Sequence, residues 1–242
     1  MMKHAMPVGV VLSVCAVLCL ASMEPVQIKF GPEAKSSAEW EVVIRAVSNG
    51  VPIVAKARQH QEVTETKPNG EFVVSTRIQG MTIESPDTEP MTMPDPAPTT
   101  VTFNQTGVVV GVQQDEVSRA ELGVEARMAA IRAILYPEDQ ERMWTVGEKY
   151  VREVPADPKL GTVALRAEYT FEGVEKVGDW ESAAFSFKTT ETGVERPQHS
   201  SGQILLSLSD GWLTQMEASF NDFITPGAPE PLSGTVAFKR TR

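Results

Sequence analysis

The chain contains only two cysteines, Cys15 and Cys19, and both lie in an apolar stretch near its start. Cleavage of a signal peptide after Ala21 leaves a mature chain without cysteine. This predicts a mature protein without disulfides, thiolate metal sites or cysteine nucleophiles, held together by its core. Lipidation needs a small residue before the acceptor cysteine, but Val14 and Leu18 stand there, so ordinary cleavage is favoured over anchoring.

Long hydrophobic runs are also scarce. Val8–Leu20 is an uncharged run of 13 residues, whereas a membrane-spanning helix needs about 20. Lys3 precedes the run, and small side chains stand at Cys19 and Ala21, which are positions −3 and −1 of the predicted cleavage site. This order predicts a signal peptide over residues 1–21, a flexible entry over 22–38 and an exported, periplasmic or extracellular protein with no remaining transmembrane span.

Clustered positive charge is missing as well. The chain has 22 Lys and Arg against 32 Asp and Glu, and its formal net charge is −10. Basic residues are scattered among acids, whereas binding to phosphate backbones or anionic membrane surfaces needs basic clusters. We therefore expect no nucleic-acid partner.

Signatures of catalysis and metal binding are absent. No phosphate-binding glycine loop or G-x-S-x-G motif occurs, and Ser200-Ser201-Gly202 is interpreted as a loop. The mature chain has two histidines, His60 and His199, without further ligands at metal-site spacing. We expect no enzyme, metal or cofactor. A hydrolase with a carboxylate pair stays as a third hypothesis, because such pairs leave no local signature.

The first half shows the period of two that is typical of strands. Trp40, Val42, Ile44 and Ala46 alternate with polar and smaller apolar residues. Asn49-Gly50 and later Pro68-Asn69-Gly70 supply turn residues, which predicts a β-meander. A further hairpin is predicted over Val101–Gln113.

Alternating strands return in the second half, for example over Val163–Phe171, Ala183–Phe187 and Gly234–Thr241. The segments Val73–Glu84 and Leu165–Lys176 resemble each other, which suggests two similar halves, 39–114 and 142–242, in one domain over 39–242. Shared hairpin patterning is the alternative explanation.

Residues Ser85–Thr100 differ in composition, with five prolines and several acids. Proline cannot donate to a sheet ladder, so a central strand is excluded. The segment is interpreted as a stiff extended loop, with a proline-rich docking segment as the alternative.

One helix is predicted over residues 118–136. Ser118 and Glu121 form a capping box, Val117 and Leu122 a hydrophobic staple, and Pro137 ends the helix. Apolar residues at helical spacing require a partner surface. The expected fold is therefore α+β: mainly antiparallel β, a curved sheet or incomplete barrel with one long amphipathic helix on its concave face.

Seven aromatic residues are predicted to lie on apolar strand faces. They either line a cavity for an acyl chain or other apolar ligand, or form the packed core, which is the default for protein interiors. The seven residues are Phe72, Tyr169, Phe171, Phe185, Phe187, Trp212 and Phe220.

The signal peptide, the acidic β-meander and the recurring strand–glycine–strand units resemble the periplasmic lipoprotein carriers of LolA and LolB type. The segments 146–150 (VGEKY) and 171–178 (FEGVEKVG) are similar to those of uncharacterised exported bacterial proteins. The carrier resemblance implies a half-barrel that binds acyl chains. We expect a non-enzymatic envelope protein that binds an apolar ligand or lipidated partner. The alternative is a structural or interaction domain that docks onto another envelope protein.

Overall fold

The computed structural model describes residues 25–28, 33–48, 50–86, 88–105, 109–113, 142–158, 163–223 and 232–242. Within these ranges the chain forms fourteen strands. They are β1 Val26–Gln27, β2 Ser37–Ser48, β3 Val51–Thr66, β4 Phe72–Ser85, β5 Thr88–Thr92, β6 Thr99–Phe103, β7 Val109–Gln113, β8 Met143–Trp144, β9 Lys149–Val154, β10 Ala164–Val177, β11 Trp180–Thr192, β12 His199–Ser207, β13 Leu213–Phe223 and β14 Leu232–Arg240.

Twelve of these strands build one antiparallel sheet. Its order is β7-β6-β4-β3-β2-β14-β13-β12-β11-β10-β9, and β5 pairs with the end of β4. The chain thus makes two meanders, one from β2 to β7 and one from β9 to β14. The last strand, β14, joins them by pairing along β2, from Ser233 opposite Val47 to Arg240 opposite Trp40.

The hairpin turns fall where the sequence predicts them. Strands β2 and β3 meet at Gly50, and β3 and β4 meet at Pro68-Asn69-Gly70. The turn at Asp210-Gly211 separates β12 from β13. The predicted turns at Gly50 and at Pro68-Asn69-Gly70 are thus confirmed.

The apolar side chains of both meanders form one core on one side of the sheet. Val63, Phe103, Phe185 and Met216 belong to a single buried cluster although their strands lie far apart in the sheet order. A sheet of twelve strands must curl to bury one face in this way. We call the core side the concave face and the other side the convex face.

The prediction of an α+β fold is wrong, because the described residues contain strands and no helix, so the fold is all-β. The predicted helix over 118–136 lies outside the described residues. Within those residues, the second layer on the concave face is the small sheet formed by β1 and β8, where Val26 pairs with Trp144. The predicted signal peptide over 1–21 also lies outside the described residues.

The proline-rich segment contains more structure than predicted. Thr88–Thr92 forms strand β5, which is exposed throughout and pairs only with β4 among the described strands. The exclusion of a central strand is confirmed for the proline-containing part of the segment, since β5 lies off the main path of the sheet, whereas Thr99 and Thr100 already belong to β6 on that path. Pro90 is tolerated because a strand with one partner needs fewer ladder donors.

Candidate functional site

The four central strands β13, β14, β2 and β3 carry three rows of apolar residues across the concave face. Directly opposite residues of antiparallel strands project to the same side, so the register defines each row. The rows are Met216–Phe238–Val42–Ala57, Ala218–Val236–Ile44–Ala55 and Phe220–Gly234–Ala46–Ile53. We call these twelve residues the apolar floor.

Burial is uneven across the apolar floor. Met216, Ala218 and Ala46 are buried, whereas Ile44 is 38% exposed, and the remaining floor residues are partly buried. Strands β14, β2 and β3 have sheet partners on both sides. The exposure of the floor is therefore not the ordinary exposure of a sheet edge.

The convex face of the same strands has the opposite character. Glu41 and Arg45 on β2, Lys56 and Arg58 on β3 and Lys239 on β14 are all exposed. These five residues alternate with floor residues along the strands. The outer face of the central sheet thus carries exposed charges between apolar residues such as Val43 and Val54, whereas the inner face is apolar and only partly covered by the described residues.

Gly234 is a position of the apolar floor that cannot carry a side chain. A Cβ atom on Gly234 would collide with the backbone carbonyl of Arg45 and would approach Cα of Ala46 to 2.8 Å. Strands β14 and β2 therefore come together at Gly234 in a way that excludes a side chain. Gly234 therefore adds no side chain to its row of the floor, where it lies between Phe220 of β13 and Ala46 of β2.

The neighbouring region over β9 to β11 is closed by Trp144 of β8. The indole is fully buried, and its ring centre lies 5.0 Å from that of Phe185 and 5.9 Å from that of Tyr150. Phe171 and Phe185 pack on each other at 5.1 Å. Aromatic pairs at these distances stabilise a core beyond their buried area.

Arg142 covers the outer side of this aromatic cluster. Its guanidinium lies 4.4 Å from the ring centre of Trp144 and 4.6 Å from that of Tyr150, and it pairs with Glu148 at 2.6 Å. The backbone N–H of Thr145 donates to Glu148, which is the largest factor acting on that carboxyl; together with Arg142 it outweighs the effect of burial and lowers the pKa of Glu148. The pair therefore ties β8 to the start of β9.

Buried polar groups also lie on the concave face. The amide of Gln61 on β3 donates to the hydroxyl of Thr76 on β4 at 3.1 Å. Complete burial raises the pKa of the Tyr169 phenol well above its ordinary value, against a smaller lowering by the charge of Arg152. Tyr169 thus stays protonated and is unsuited to act as a base at neutral pH.

Most of the seven aromatic residues singled out from the sequence lie in the packed core. Phe72, Tyr169, Phe171, Phe185, Phe187 and Trp212 are buried, and only Phe220 is partly exposed. The structure brings Phe171 and Phe185 together, whereas Phe72 stacks on Phe103 at 5.2 Å. Trp212 stands in the turn before β13 and contacts Trp40 at 5.7 Å.

Two parts of this arrangement escape the sequence analysis. Trp144 lies in a strand of two residues, too short to produce a periodic signal. The sequence analysis also missed the part of the floor that β3 contributes. Its pattern is nevertheless present in the sequence, because Ile53, Ala55 and Ala57 alternate with Val54 and Lys56. Small alanine side chains make that pattern less conspicuous than an aromatic one.

The described residues contain no group of three or more His, Cys, Asp or Glu side chains that could hold a metal ion. In the same ranges, no helix has the length and apolar character needed to cross a bilayer. The carboxylate-pair hydrolase stays a prediction.

No protein-family model matches this chain, and no curated protein matches it. Among solved structures, a candidate exported protein with a YmcC-like fold from Bacteroides fragilis NCTC 9343 is similar over 89% of this chain and 100% of its own, with 9% identity and a TM-score of 0.32. DynF from the dynemicin biosynthesis pathway of Micromonospora chersina is similar over 98% of this chain and 92% of its own, with 8% identity and a TM-score of 0.24. The resemblance to lipoprotein carriers stays a prediction.

Proposed function

We propose that the protein is an exported, non-enzymatic binding protein that holds an apolar ligand of the acyl-chain type on the apolar floor. The observation that carries this proposal is the incomplete cover of three apolar rows in the middle of the sheet, with Ile44 38% exposed. Concave, mostly apolar surfaces are the usual sites for such ligands.

An acyl chain on the apolar floor would replace water over Ile44, Val236, Ala55 and their neighbours. Each methylene group transferred from water to an apolar surface contributes about 0.8 kcal/mol. The twelve floor residues include no charged side chain, and Gly234 adds no side chain to the floor, which supports a chain-like apolar ligand. Export is proposed on the signal-peptide pattern of residues 1–21.

Two measurements test the ligand. The first is lipid extraction and mass spectrometry of the purified protein, which we expect to release a co-purifying acyl compound. The second is titration of the delipidated protein with a fluorescent long-chain fatty acid. Ile44→Asp should weaken that binding by about tenfold or more, equivalent to about 1.4 kcal/mol.

Val47→Asp is the matched control. Val47 lies three residues further along β2, is 52% exposed and projects to the convex face. The Val47→Asp variant should bind the fatty acid as the unchanged protein does. A protein that releases no lipid and binds no fatty acid, or variants that bind equally well, would contradict the proposal.

Export has its own test. Intact-mass measurement of the protein recovered from the envelope or medium of its native cells should give a chain that starts at Ser22. A chain that keeps residues 1–21 and stays in the cytoplasm would contradict export without touching the ligand-binding test.

A second candidate, an interaction domain with a packed core and no ligand, is favoured by a different observation. Six of the seven aromatics, Phe171 and Phe185 among them, are buried against protein and leave no space of their own for a ligand. For this candidate the delipidated and untreated proteins should have the same melting temperature. Under the ligand proposal, removal of the lipid lowers it, because a ligand bound only to the folded state stabilises that state.

A further inference from the structure

Three methionines lie together on one face of the β4–β5 hairpin. The chain has ten methionines, and Met81, Met91 and Met93 belong to this one hairpin. Ile83 pairs with Met91, and the backbone N–H of Met93 donates to the carbonyl of Met81 at 2.9 Å. Met81 is therefore opposite Met93, and both project to the same side as Met91.

A bulge and a hydrogen bond next to Met81 fix the register that aligns these methionines. Gly80 adopts a φ of +61°, which favours glycine, at a bulge between β3 and β4. Its N–H donates to a carboxylate oxygen of Asp95 at 2.8 Å, which holds the segment after β5 against β4. Directly opposite Cβ atoms in such a ladder lie about 5 Å apart and diagonal ones about 7–8 Å apart.

These distances are within the reach of methionine side chains. Methionine is unbranched and has three rotatable side-chain bonds, so its sulfur can adjust to a shared centre. Met81 and Met93 are partly buried, whereas Met91 is 54% exposed. The group is thus preorganised by backbone pairing and open to solvent through Met91.

Thioether sulfur is a soft, neutral ligand and suits Cu(I) rather than Mg²⁺ or Ca²⁺. A monovalent ion bound by three thioethers keeps its positive charge, which an acidic protein with a net charge of −10 tolerates. We propose that Met81, Met91 and Met93 form a binding site for a soft monovalent cation, Cu(I) or its redox-inert analogue Ag(I). The methionines lie on the concave face beside the apolar floor, because Ile83, which pairs with Met91, also pairs with Ala55 of that floor. The metal titrations below need no apolar ligand.

Isothermal titration with Ag(I) and competition with a chromophoric Cu(I) chelator under reducing conditions test the site. We expect one equivalent of Ag(I) to bind per protein chain. The double variant with Met91→Leu and Met93→Leu should lose more than tenfold in affinity, because even changes outside the ligand shell cost about 10–100-fold. Leucine keeps the surface apolar, so the variant removes sulfur and little else.

Met143→Leu is the matched control, since Met143 on β8 is 49% exposed and lies outside this hairpin. It should bind Ag(I) as the unchanged protein does. With methyl-labelled methionine, the signals of the three hairpin residues should shift together at one equivalent while that of Met143 stays in place. The melting temperatures of the variants in the absence of metal check that they are folded.

Three results would overturn the proposal. They are the absence of Ag(I) binding in a folded protein, equal binding by the double leucine variant, and loss of binding in Met143→Leu.

Discussion

Two regions of the same concave face differ in how they are covered. Over β9 to β11, Trp144 and Arg142 close the face, and Phe185 is fully buried. Over β14, β2 and β3, the same kind of apolar side chain is partly open, as at Ile44. Apolar patterning of a strand therefore predicts which face is inner, but the neighbouring layers decide whether that face becomes a core or a surface available for binding.

The largest loss of stability is expected from Phe185→Ala in the closed region. Phe185 packs on Trp144 and Phe171, so truncation leaves a cavity among aromatic rings. The loss of unfolding free energy should be about 3–5 kcal/mol. Urea unfolding measures it, and a loss below that of Ile44→Ala would contradict the division into closed and open regions.

A smaller loss of unfolding free energy is expected when the ion pair between Arg240 and Asp210, near the C-terminus, is broken. Arg240, which is almost fully buried and stacks on Trp180, pairs with Asp210 at 2.9 Å. Burial would raise the pKa of Asp210, but hydrogen bonds from Arg240, Ser207 and the N–H of Trp212 outweigh it and lower the pKa below 3.8. Asp210→Asn should cost about 1.5–3 kcal/mol at neutral pH, as for hydrogen bonds to charged groups.

The sign of the pH dependence follows from that lowered pKa. The stabilisation by Asp210 is complete above the unfolded-state pKa and is lost as the pH falls through the lower folded-state pKa. Urea unfolding at pH 7 and below pH 3.8 should therefore show a difference between the unchanged protein and Asp210→Asn that shrinks in acid. A constant difference would show that the carboxylate charge does not contribute.

Gly234→Ala tests the shape of the apolar floor. The added methyl group would meet the Arg45 carbonyl in the adjacent strand, so β14 and β2 must move apart. Overpacking of this kind costs about 1–3 kcal/mol. Fatty-acid binding should fall together with stability. Unchanged stability would mean that the close approach of the two strands is absent in solution.

The smallest effect on stability is expected from Ile44→Ala. Ile44 is partly open, so its truncation should cost about 1 kcal/mol or less. Fatty-acid titration should nevertheless show weaker binding, because the variant removes apolar surface from the floor. A large loss of stability with unchanged binding would place Ile44 in the core rather than in a site.

Much of the sheet was predictable from local patterns. The alternation of Trp40, Val42, Ile44 and Ala46 correctly predicts one face of β2, because successive side chains of a strand point to opposite sides. The turns at Gly50 and Gly70 were predictable because few residue types suit tight turns. The α+β assignment was wrong, because the described part of the chain is all strand and β1 and β8 form its second layer, and the predicted helix over 118–136 lies outside that part.

The candidate site was less predictable than the sheet. The seven aromatics were identified by size and alternation, but size does not say which rings meet protein and which meet solvent. Phe220 and Phe187 have similar sequence contexts, yet Phe220 is partly exposed and Phe187 is buried. That difference depends on how β13 and β11 lie relative to other layers.

The sequence by itself determined the long alternating strands such as β2, β10 and β11, the turns at Gly50 and Gly70, and the apolar faces of those strands, because these depend on residues close together in the chain. Only the tertiary structure decided that β14 pairs with β2, that Trp144 closes one part of the concave face and that Met81 stands beside Met91 and Met93. Each of these contacts joins distant segments or depends on a register set by a bulge. Such contacts arise from the packing of the whole chain, which local side-chain alternation does not encode.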